Sequence, residues 1–91
     1  MISSDVLSRA IETYNEYRSP MASATLVRTT EEEFVVRFEG PFTRMCCDYD
    51  YFEDLVYELQ EVGIDSSSVA VESVSYTEPE TFVVEFDTTS T

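Results

Sequence analysis

Two stretches of the chain space their apolar residues as a helix does, and four shorter ones read as strands. In the first helical stretch Leu7, Ala10, Ile11, Tyr14 and Tyr17 follow the i, i+3, i+4, i+7 pattern of one buried face. Arg9, Glu12, Glu16 and Arg18 fall largely outside that stripe. Ser3 or Ser4 supplies the N-cap, and Asp5 sits in the first turn, where a carboxylate meets the positive end of the helix dipole. Pro20 ends the helix, because the residue before a proline is pushed out of helical geometry.

From Ala22 to Arg28 the pattern is β-like, and the acidic run Glu31 to Glu33 then reads as a solvated turn. Phe34 to Phe38 is the clearest strand: Phe34, Val36 and Phe38 share one face, Val35 and Arg37 the other. Gly40-Pro41 closes it. The second helix begins near Asp48 to Asp50 and runs to Val62 with Phe52, Leu55, Val56, Leu59 and Val62 as its stripe. Asp50 and Glu53 have capping-box spacing, and Gly63 is a left-handed stop followed by Ile64 as the hydrophobic contact beyond it. Strands follow at Val69 to Tyr76 and Phe82 to Phe86, and Asp87 to Thr91 is expected to fray.

The order is therefore αββαββ, and one offset relates its halves. Leu7 maps to Leu55, Ile11 to Leu59, and Phe34-Val35-Val36-x-Phe38 to Phe82-Val83-Val84-x-Phe86, each 48 residues on. The expectation is one domain over 1–91 made of two αββ units, about 3–40 and 48–88, with Phe34 and Phe82 in equivalent core positions. Moving the final strand to the front gives βαββαβ, the order of ferredoxin-like folds. The expected class is α+β: a two-layer sandwich, circularly permuted ferredoxin-like, with a four-stranded antiparallel sheet and both helices on one face. The two FVVxF strands would be central. A plain antiparallel meander with two helices is the alternative.

Charge sets the environment. Nineteen acidic residues face five basic ones for a net charge of −14, every basic residue is an arginine, and lysine is missing. An acidic chain poor in apolar residues reads as disordered, but 43% of this one is hydrophobic, so it should fold. A folded, lysine-free acidic surface resembles the small proteins of halophilic archaea, and that resemblance implies a halophilic cytoplasm rather than an activity. No stretch has the ~20 apolar residues of a membrane span, and the start, MISSDVLSRA, has neither the basic nor the apolar region of a signal peptide, so the expected location is cytoplasmic, with no membrane association.

The same residue counts narrow the chemistry. With no histidine, imidazole acid–base catalysis and histidine metal triads are out; with no lysine, Schiff bases and the P-loop are out. The two glycines, Gly40 and Gly63, are isolated, so no glycine-rich loop can cradle a phosphate, and no cofactor is expected. Nucleic acid is excluded by a negative chain without a basic stripe.

Two features remain. Cys46-Cys47, at the start of the second helix with Arg44 nearby, can be a reactive thiol pair, a soft-metal ligand pair with Asp48 or Asp50, or simply packed cysteines. Asp48 and Asp50 oppose thiolate formation, and the spacing is not the C-x-x-C of thioredoxin-like sites. The other feature is the sheet face away from the helices, where Val35, Arg37, Val83 and Glu85 suggest a half-apolar interface for a second copy or a protein partner. The expected function is thus a non-enzymatic binding or protein-interaction module, with a thiol-dependent redox, sensing or soft-metal protein as the alternative. Unscreened self-repulsion makes folding salt-dependent: circular dichroism melts in about 0.1 M and about 3 M KCl should differ, with the higher midpoint in the higher salt. Equal midpoints would refute the halophilic expectation.

Overall fold

Helix α1 (Ser4–Arg18) leads into strands β1 (Ser23–Thr29) and β2 (Glu33–Glu39); a 3-10 turn (Pro41–Arg44) precedes helix α2 (Asp48–Glu61) and strands β3 (Ala70–Thr77) and β4 (Thr81–Asp87). The structure, a computed structural model, describes residues 4–30, 32–44, 48–64, 69–77 and 80–88. The four strands form one antiparallel sheet in the order β1-β2-β4-β3, with both helices on one face, an α+β two-layer fold.

The central pair carries the core. Phe34 lies opposite Phe86, Val36 opposite Val84 and Phe38 opposite Phe82. Strand alternation puts all six on the helix side. Against them pack Leu7, Ala10, Ile11 and Tyr14 of α1 and Phe52, Leu55 and Leu59 of α2. Phe34 and Phe86 stack at 4.8 Å, while Phe38 meets Tyr14 and Phe52 edge-on at 5.6 and 5.2 Å. Each ring thus adds an oriented contact to its apolar burial.

Both glycines are conformational necessities. Gly40 (φ +137°) sits so close to the turn after α1 that a Cβ would collide with the Met21 carbonyl and come within 2.9 Å of that of Pro20. That approach lets the Phe42 amide donate to Met21 O at 3.2 Å and tucks the Phe42 ring, fully buried, under α2. Gly63 (φ +102°) ends α2: its amide donates to Gln60 O and the Ile64 amide to Leu59 O, the paired bonds of a Schellman stop.

Three expectations need correction. Asp87 lies within β4, and Thr88 is buried with its amide donating to Glu32 O at 2.8 Å, so the end of β4 is tied to the turn before β2 rather than frayed; residues 89–91 lie outside the described residues. Phe82 is only partly buried, whereas Phe34 is fully so. Phe82 stands opposite Tyr76 of edge strand β3, itself half in water. Val35, expected on an exposed face, is buried.

Phe34→Ala should cost about 3–5 kcal/mol, and Phe82→Ala clearly less, because part of the Phe82 ring is already in water. Urea denaturation of both variants at one fixed salt concentration checks the order.

Candidate functional site

The outer face does not present the expected apolar patch. Val35 is 2% exposed in the single chain, although it stands apart from the core cluster on a face without helices. Its cross-strand neighbours are Arg28 and Glu85, and Glu33 and Arg37 flank it on its own strand. The aliphatic stems of such long polar side chains can take a valine out of water. Arg28 pairs with Glu33 at 2.9 Å across this roof. Arg37 pairs with Glu39 at 3.4 Å, and Glu85 accepts a hydrogen bond from Ser73 at 3.0 Å. Val35 is therefore buried within the single chain, while Val83 beside it stays half-buried.

Of the expected thiol site, Cys46 and Cys47 lie outside the described residues, as do the side chains of Arg44 and Asp48. Asp50 is exposed in the first turn of α2. No group of three or more His, Cys, Asp or Glu side chains that could hold a metal occurs among the described residues.

A polar cluster that periodicity did not reveal joins the two helices. The Arg18 guanidinium donates to Glu58 at 3.0 Å and Asp54 at 3.3 Å, and its carbon lies 4.6 Å from the centre of the Tyr14 ring. Glu58 is only 8% exposed. The Tyr14 hydroxyl donates to Tyr51 O at 2.9 Å, and burial pushes this phenol well above its ordinary value, so Tyr14 stays a proton donor. Every charge and dipole here has a partner within the fold, so the cluster reads as a staple between α1 and α2. The sequence signal was Arg18 at the end of α1, but only the helix crossing brings Asp54 and Glu58 to it.

The exposed chemistry lies along β3. The two edge strands are treated differently. On β1 the Asn15 side chain of α1 reaches the strand: its amide nitrogen donates to Ala24 O at 2.9 Å and its oxygen accepts from Ala24 N at 2.7 Å. A side-chain amide thus stands where another strand would pair. Among the described residues no hydrogen bond beyond the ladder to β4 reaches the backbone of β3. At the 48-residue offset Asn15 falls on Gly63, which has no side chain and lies past the end of α2.

The helix-side residues of β3 are correspondingly uncovered. Val74, opposite Val84, is 37% exposed and Tyr76, opposite Phe82, is 52% exposed. Between α2 and the start of β3 an open cleft of about 410 Å3 is lined by Val56, Tyr57, Val69, Ala70 and Val71, with Glu53 and Gln60 at its polar margin. Tyr57 is 56% exposed on its wall.

Breaking the staple should be costly. Arg18→Met leaves Glu58 charged and almost buried, so a loss of about 2–4 kcal/mol is expected. Arg18→Met with Glu58→Met should recover most of it, as urea unfolding of the singles and the double can measure. A double variant no better than Arg18→Met would show that the pair is not coupled.

Neither a protein-family model nor a curated protein matches this chain.

Proposed function

We propose that the protein is a non-enzymatic protein-interaction module whose working surface is strand β3 with the adjoining α2 cleft. The observation that carries this reading is the contrast between the edges: on β1 the Asn15 side chain occupies the Ala24 backbone, while among the described residues nothing bonds the outer backbone edge of β3, which exposes Val74 and Tyr76. Apolar side chains with polar tips along an open edge suit a partner that binds by strand addition and side-chain insertion together. The burial of Val35 favours β3 over the outer face as the docking region. A sequence without histidine or lysine leaves no imidazole acid–base or Schiff-base catalysis. No helix among the described residues is long and apolar enough to cross a membrane, so this reading invokes no membrane span. It also takes the halophilic cytoplasm implied by composition as the working environment and excludes nucleic acid on charge. The thiol alternative rests on Cys46 and Cys47, outside the described residues.

Photo-crosslinking in the native cell tests the reading. A benzophenone amino acid in place of Tyr76 or Tyr57 should give the same defined protein adduct, and one in place of Val27, exposed on β1, should not. Equal labelling at all three positions, or none at Tyr76 and Tyr57, would refute it.

A further inference from the structure

The geometry points to a basic, extended segment of a partner protein as the occupant, added to the sheet as a strand alongside β3. This deepens the interaction-module reading and rests on it. Strand form follows from the edge. The β3 backbone runs eight residues with its outer edge unpaired among the described residues, and its helix-side row, Val71, Val74 and Tyr76, continues the apolar layer toward solvent. A strand laid there extends the ladder and places alternate side chains over that row and the cleft beside α2.

The sign of the partner follows from charge. Residues 45–91 hold twelve of the nineteen carboxylates and none of the five arginines. The described ion pairs take up Glu33, Glu39, Asp54 and Glu58. Glu53 at the cleft margin and Glu72 on β3 have no ion-pair partner among the described residues. Open carboxylates beside an apolar strip match a segment alternating arginine or lysine with apolar residues. A second copy fits poorly, because pairing β3 with itself would bring two such carboxylate sets together with no cation between them.

The test uses the full chain at a salt concentration where circular dichroism shows it folded, and a peptide as long as β3 alternating valine with arginine. Three controls accompany it: the same peptide with glutamate for arginine, the arginine peptide N-methylated along one edge, and the E53Q/E72K variant. Calorimetry should find the arginine peptide bound and each control weaker by about tenfold or more. Hydrogen exchange at β3 amides should slow by at least about tenfold on binding, while Ala24 on the β1 side is unchanged.

Equal binding of the glutamate peptide would overturn the charge assignment, and equal binding of the N-methylated peptide would overturn strand addition; neither result touches the crosslinking contrast. Failure of the arginine peptide to bind at all, or sedimentation of the free chain as a dimer that Val74→Glu dissociates, would overturn the occupant itself.

Discussion

The pairing of β2 with β4 is the contact on which the rest of the architecture depends. Both strands carry the FVVxF run, and their register is symmetric about Val36 opposite Val84. A slip of one residue would send the phenylalanines of one strand to the outer face and bring its valine and charged residue inward. The register is therefore held by the burial of Phe34, Phe38 and Phe86 under two helices, and the helices are held by the same rings. The turn at Gly40 adds Phe42 to this cluster, where it meets Tyr51, Phe52 and Phe82 at 4.8, 6.1 and 6.0 Å.

What the sequence made legible was what local periodicity encodes. Both helices, the four strands and their layering follow from apolar spacing, and the Gly63 stop from a residue type with one strong conformational use. Side-chain environments set by long-range geometry were not legible. Val35 alternates outward and yet is buried, because Arg28 from one neighbouring strand and Glu85 from the other flank it, a coincidence of registers. The Arg18–Glu58 pair spans 40 positions and depends on how two helices cross. Tyr76 alternates inward and is half-exposed, because α2 leaves the edge of its own layer uncovered.

These misses share a cause in the size of the chain. Two helices must cover a sheet of four strands, and the core they enclose is small. Polar side chains then stand where a third layer does elsewhere: Arg28, Glu33, Arg37 and Glu85 flank Val35, and the Arg18 cluster clamps the helix seam. Such polar contacts stabilise only when each buried group is matched, and the Arg18 cluster meets that condition by giving its guanidinium two carboxylates and an aromatic face.

The open edge at β3 follows from where α2 stops. Helix α1 continues to Arg18, far enough to bring Asn15 over β1, whereas the Schellman stop ends α2 at Glu61, and among the described residues no α2 side chain bonds the β3 backbone. An exposed edge invites pairing with further copies of the chain, and proteins commonly blunt such edges with charge. Here β3 itself carries one carboxylate, Glu72, and α2 adds Glu53 at the cleft margin. Like charges oppose a second copy, most strongly where salt screens them least. The same charges leave the ladder available to a strand of opposite sign. In the proposed reading, carboxylates with no ion-pair partner among the described residues thus act in two ways, against self-association through β3 and in favour of a basic partner, and both effects come from the half of the chain that has no arginine.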